Sequence, residues 1–448
     1  MRSAALSTLA LAVAGCGAGG SLSGGPAAPA VQYALRASTT PIAHVVFIIQ
    51  ENRSFNNLFM GYPGAKTRRY GFDTKGHKIV LHATDLATAW DIDHFSPAFF
   101  AACDGTGKLP GTSCKMDGWN NELHGFGAPQ NFAYAYVPET EIDPYWQMAK
   151  QYVLADRMFS SNFDGSFISH QYAIAAYADK AADLPPTQWG CEGGKQDKVP
   201  TWTAQRTYGP SIVTCFDIPT IGSEADAAGM TWRFYTGSIY GDGGLWSSYQ
   251  ANKGVYTGPD WKADVIDPPS RFLKDIAAGT LANVTWITPT YINSDHPGLD
   301  ASGGPAWIAS LVNAVGQSKF WNSTAIFVMW DDWGGLFDPV KPVHADTYGL
   351  GLRVPLLMIS PYAKQGYVTH RQYETASVLK YIEDNFGLAP LAAADARAGD
   401  PAGDAFDYGQ SPRKFKKFAG AKPAAYWIEH DRGLPRRRGK PHSIIGDD

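Results

Sequence analysis

Acidic and amide side chains follow apolar runs at several places in this chain, and that placement suits metal chemistry. Val45–Ile49 is a continuous β-branched and aromatic run that gives way to Gln50, Glu51, Asn52 and Arg53. Ala325–Trp330 ends in Asp331 and Asp332 before a glycine pair, and Val284–Thr288 leads to Asp295 and His296. Adjacent carboxylates repel one another unless a cation neutralises them. Oxygen-rich donors suit a hard or borderline divalent ion. A solvated loop with a helix cap would account for any one cluster, but three together point to a metal or catalytic site.

A hydroxyl nucleophile has a candidate as well. In SSNFDGSFISHQYAIAAYA, Asp164-Gly165 is a turn and the pattern from Tyr172 to Ala178 is helical, so Ser166 and Ser169 fall at a helix start. Backbone N–H groups and the positive dipole end there attract an anion such as phosphate and stabilise an alkoxide. Capping is the commoner role of a serine in this position, and Ser166 becomes a nucleophile only if a metal activates it. No Gly-x-Ser-x-Gly elbow surrounds it, which disfavours an ordinary α/β-hydrolase triad.

Positioning these groups requires strands whose carboxyl ends converge. Strand-like runs occur at Val45–Ile49, Met230–Tyr235, Val284–Thr288, Ala325–Trp330 and Val354–Ile359. Helical patterns occupy Pro144–Leu154, Tyr172–Ala178, Pro305–Gln317 and Tyr373–Asn385. Such alternation predicts an α/β fold, a mostly parallel central sheet with helices on both faces. In that architecture ligands bind beyond the carboxyl ends of the strands. The stretch from Leu81 to Phe132, rich in Gly, Asn and His, reads as a loop-rich cover.

At 448 residues the chain is long enough for a large core, and a formal net charge of −4 gives no reason to expect nucleic acid. The basic clusters at Lys414–Lys417 and Arg436–Arg438 read as solvated tail. Arg2 precedes a short apolar stretch from Ala4 to Ala14, too short to span a bilayer, so residues 1–15 read as a signal peptide. Val13-Ala14-Gly15-Cys16 resembles a lipobox, which predicts lipidation of Cys16 and a membrane anchor; ordinary cleavage nearby is the alternative. Either way the chain is expected to be exported, as a periplasmic, membrane-anchored or secreted protein. Cys103, Cys114, Cys191 and Cys215 then read as two disulfides with three possible pairings.

QENRSFNNLF, FDGSFISHQYAIA, WDDWGGLFDPV and RVPLLMISPYAKQGYVTHRQYETASVLKYIE together resemble the bacterial phosphoesterase family of phospholipases C and acid phosphatases, within the alkaline-phosphatase superfamily. The resemblance implies an alkaline-phosphatase-like catalytic domain over 41–388, after a linker over 16–40 and before a tail over 389–448. It implies one divalent metal, with zinc, calcium and manganese all compatible, held by Glu51, Asn52, Ser166, Asp331 and Asp332. Ser166 is the implied nucleophile, and His94, in WDIDHFSP, and His296 are implied catalytic groups that protonate the leaving oxygen or contact phosphate. Asp295 is expected at the substrate, and His370 as a structural group. The family's Gly-Pro-Thr/Ser-x-Pro-Asn-Arg departs here to Asp164-Gly165-Ser166-Phe167-Ile168-Ser169-His170, so a phosphate-clamping Arg is replaced by His170. Pro339 replaces a family histidine. The implied activity is hydrolysis of phosphate esters, phospholipase-C-like, with Trp119, Phe126 and Trp333 lining an apolar approach. Acid phosphatase action on monoesters and a non-catalytic ligand-binding lipoprotein are the alternatives.

Overall fold

Buried β-branched runs assemble into an eight-stranded sheet, because a strand apolar on both faces needs cover on both. The computed structural model describes residues 40–123, 127–186, 190–240, 246–298 and 301–430. The strands are β1 (His44–Gln50), β2 (Val153–Ala155), β3 (Trp232–Tyr235), β4 (Val265–Ile266), β5 (Val284–Ile287), β6 (Thr324–Trp330), β7 (Leu356–Ile359) and β8 (Tyr367–Thr369). Their spatial order is β4-β3-β5-β1-β6-β7-β2-β8. Only β7 runs antiparallel to its neighbours, so the sheet is mostly parallel, as expected.

Strand β1 lies at the centre, in register with β5 from Val45↔Val284 and with β6 from His44↔Thr324 to Gln50↔Trp330. The polar segments after β1, β5 and β6 therefore leave the sheet side by side. Helices cover both faces. On one, the Trp286 indole, level with Phe47, donates to Ala173 O at 2.9 Å in helix α3 (Ser166–Ala175). On the other, Trp330, level with Gln50, meets the Tyr145 ring of helix α2 (Asp143–Gln151) at 4.9 Å. Helix α1 (Ser96–Cys103) belongs to the cover, α4 (Gly304–Gly316) packs beside α2, and α5 (Ala376–Phe386) packs beside α3.

Several element boundaries differ from expectation. The helix expected over Pro144–Leu154 stops at Gln151, and Val153–Ala155 is strand β2, paired with β7 and β8. The helix expected from Tyr172 starts six residues earlier, at Ser166 itself. Tyr373–Glu374 is a short strand before α5. The cysteines form the near-neighbour pairs Cys103–Cys114 and Cys191–Cys215. Among the described residues no helix is long and apolar enough to cross a membrane. The expected signal peptide, Cys16, Phe126 and Arg436–Arg438 lie outside the described residues.

Candidate active site

The centre is built where β1 and β6 end. Asn52 takes a left-handed backbone, φ 55°, which asparagine adopts at lower cost than most residues. Its N–H donates to Asp331 Oδ1 at 3.0 Å while Asp331 N–H donates to Gln50 O at 2.9 Å, lacing the two strand ends together. Gly334 is required behind them: its φ is +59° and a Cβ there would lie 2.0 Å from Asn52 O.

Helix α3 delivers the hydroxyl. The buried Asp164 carboxylate accepts from Gly165 N (3.1 Å), Ser96 N (3.2 Å) and Asp183 N (2.9 Å), pinning the start of α3 to the start of α1. Burial pushes this carboxyl up to about 6 against those hydrogen bonds. Ser166 Oγ, at the first position of α3, donates within 3.2 Å of both Asn52 Oδ1 and Asp332 Oδ2. Ser169 Oγ instead meets Asn162 Nδ2 at 3.1 Å and Ser160 Oγ at 3.4 Å.

Two histidines converge on one amide. Asn52 Nδ2 lies 2.9 Å from both His94 Nε2 and His296 Nε2. The opposite nitrogens donate to backbone, His94 Nδ1 to Ile92 O at 2.7 Å and His296 Nδ1 to Pro297 O at 2.5 Å. Nδ1 of each ring thus faces a backbone carbonyl while Nε2 of each faces the Asn52 amide. Tyr291 OH, 3.0 Å from His296 Nδ1, and the Trp246 ring, stacked at 6.2 Å, back the second ring. Neither residue carries a sequence signal for this role.

Glu51, His170 and Asp331 form a buried group able to hold a metal ion, their donor atoms all within 4.8 Å of one another. His170 Nε2 is 3.0 Å from Glu51 Oε1 and 3.8 Å from Asp331 Oδ2. Asp331 Oδ2 accepts no hydrogen bond among the described residues, the condition of a buried carboxylate oxygen that awaits a cation. Two carboxylates and an imidazole fit a borderline divalent ion. His170, expected at the substrate, therefore stands in the donor group instead. The i,i+4 spacing from Ser166 puts both on one face of α3, a relationship visible in the sequence. Asp332 turns toward Ser166 and toward Gly334 N, at 2.8 Å. Asn52 and Ser166 adjoin the group through the contacts above.

Two further expectations are corrected. Asp295 does not face the centre: its carboxylate accepts from Tyr145 OH (2.7 Å) and Trp330 Nε1 (3.1 Å), on the α2 side. Burial pushes it up to about 6, opposed by those hydrogen bonds and by Arg53. Its backbone is left-handed, φ 71°, which parts its side chain from that of His296. Trp119 and Trp333 line no open approach; each is 1% exposed, and they pack together edge-on. Arg53 offers no substitute phosphate clamp, since it donates to Asp295 O and Leu86 O, fully buried. His370 pairs with Asp156 at 2.9 Å, consistent with a structural group.

A family model described as Phosphoesterase family matches residues 42–389. Non-hemolytic phospholipase C of Pseudomonas aeruginosa is 24% identical over 409 residues, covering 78% of this chain and 54% of that protein. Phospholipase C A of Mycobacterium tuberculosis is 25% identical over 418 residues, covering 81% of this chain and 77% of that one. The chain thus spans about half the length of the first relative. Among solved structures, a protein of the alkaline phosphatase superfamily from Vibrio parahaemolyticus matches at 9% identity and a TM-score of 0.36, over 80% of this chain and 70% of that one.

Proposed function

This chain belongs to the Phosphoesterase family, and from that premise we propose that it is an exported, metal-dependent phosphoester hydrolase in which Ser166 is the nucleophile. The observation that carries the reading is the Ser166 hydroxyl. It sits at a helix start, 3.2 Å from Asn52 and Asp332, one turn before His170 of the donor group.

Glu51, His170 and Asp331, with Asp332 and Asn52 alongside, would hold the metal, which when bound supplies Lewis-acid stabilisation of phosphoryl oxygen and of the serine alkoxide. Asp332 Oδ2 receives the Ser166 hydroxyl hydrogen bond and so orients Oγ for attack on phosphorus. The positive dipole end at the start of α3 stabilises charge that develops on the phosphoryl oxygens. As Oγ attacks, its proton passes to Asp332 Oδ2, and His94 or His296, whose Nε2 atoms face the Asn52 amide, delivers a proton from Nε2 to the departing alkoxide. Loss of that alcohol leaves the rest of the phosphoryl group esterified to Ser166 Oγ, still carrying its second alcohol when the substrate is a diester, and water hydrolyses that ester to the phosphomonoester product and Ser166.

The substrate reading is phospholipase-C-like cleavage of a phosphodiester, in keeping with the names of both relatives. Among the described residues the polar groups around Ser166 include two histidines and no arginine clamp, which suits a diester with its single negative charge. The amino-terminal sequence supports export, with Cys16 as a lipid anchor. The test compares phosphatidylcholine with p-nitrophenyl phosphate. Release of diacylglycerol supports the reading; hydrolysis of the monoester alone turns it toward an acid phosphatase.

A further inference from the structure

The end of the sheet remote from Ser166 carries a groove of about 410 Å³ lined by Gln317, Lys319, Trp321, Lys414, Phe415 and Lys417. Its floor is built. Trp321 donates its indole N–H to Arg413 O at 2.7 Å, and the Phe415 ring meets it edge-on at 4.9 Å. Gly316 gives Phe415 its place, since a Cβ there would lie 2.3 Å from Phe415 Cδ2.

The rim is cationic and uncompensated. Lys319, Lys414 and Lys417 are exposed, and among the described residues none of them forms an ion pair or hydrogen bond. Lys319 extends over the Phe320 ring at 5.0 Å. In a chain of formal net charge −4 these three lysines concentrate positive potential on one spot.

The groove's place in the fold says what it faces. It precedes the amino end of β6, whereas Asp331 and Asp332 follow the carboxyl end, roughly 20 Å along the strand. The described chain begins at the same end of the sheet: Ala43 N–H donates to Ser323 O at 2.8 Å, and His44 registers with Thr324.

We propose that this groove docks the anionic surface of a phospholipid bilayer, leaving the Ser166 centre at the far end of the molecule. Clustered, unpaired lysines are drawn to anionic headgroups, and here they rim a groove in a chain that is otherwise net negative. A nucleic-acid strand fits the groove less well, because Trp321, 5% exposed, offers no stacking face. The inference does not depend on which phosphoester is cleaved.

The experiment measures cosedimentation of the full chain with vesicles of phosphatidylcholine alone and vesicles containing phosphatidylglycerol. EDTA is present throughout to stop turnover. Wild type is compared with the triple variant Lys319→Gln, Lys414→Gln, Lys417→Gln, whose thermal melt reports folding. Both proteins share the same amino-terminal segment, so their difference isolates the groove. The expected result is preference for the anionic vesicles, weakened by salt and reduced on the order of a hundredfold in the variant, about fivefold per lysine. Equal binding to both vesicles overturns the proposal, as does a folded variant that binds like wild type. Tighter binding to double-stranded DNA than to anionic vesicles at equal salt also overturns it.

Discussion

Asp295 and His296 are neighbours in the chain, yet their side chains enter different surroundings. Asp295 accepts from Tyr145 and Trp330, and His296 Nε2 lies 2.9 Å from Asn52 Nδ2. Substituting each should therefore separate stability from turnover. His296→Gln is expected to lower turnover by about 10²–10⁴-fold with little change in melting temperature. Asp295→Leu strands the Tyr145 and Trp330 donors and should destabilise by roughly 2–4 kcal/mol. Paired melts and kinetics decide; a stability loss at His296 with full turnover would refute the assignment.

Ser166→Ala should abolish turnover, by several powers of ten, because the attacking oxygen is gone. Ser169→Ala removes only hydrogen bonds to Asn162 and Ser160, and a loss of less than about tenfold is expected. Similar losses in the two variants would contradict the nucleophile assignment.

Exhaustive dialysis against a chelator should remove both metal and activity. Elemental analysis of His170→Ala and Asp331→Asn should show the ion lost from the purified protein, while Asp295→Asn keeps it. Full metal content in His170→Ala would remove the imidazole from the donor group.

Glu383 is 1% exposed and lies beside the Asp395 carboxyl group. Burial first, then nearby Asp395, pushes it up to about 9 from the ordinary 4.5. The folded state thus keeps a proton that the unfolded chain releases, and stability from this group falls as pH rises from about 4.5 toward 9. Glu383→Gln should raise the melting temperature most at alkaline pH and flatten its dependence there. Parallel melting curves for both proteins between pH 5 and pH 9 would contradict this.

The Cys103–Cys114 bridge follows α1 and closes a loop of the cover. Replacing both cysteines with serine should cost about 3 kcal/mol by the loop-entropy account. Unchanged melting under reducing conditions would argue against a structural bridge.

The strand ends were legible because unbroken apolar runs such as Val45–Ile49 stop abruptly at polar clusters. Strand β2 was not, since Val153 and Leu154 continue the amphipathic pattern of α2. What makes them a strand is pairing with Leu356–Met358 and Tyr367–Thr369, far along the chain. The place of His170 could have been found from its i,i+4 spacing to Ser166. The turning away of Asp295 could not, because it rests on one left-handed backbone angle and on partners contributed by α2 and β6.

Strand β1 pairs on both sides with strands that begin more than two hundred residues later. Glu51 is thus made early in synthesis, Ser166 later, and Asp331 and Asp332 later still. Contacts of such long sequence separation are slow to close and form after local helices. No amino-terminal fragment that ends before Asp331 contains the centre. A chain carried across a membrane unfolded would be chemically silent in transit, and its capacity to bind a metal would begin only when β1 met β6 on the far side.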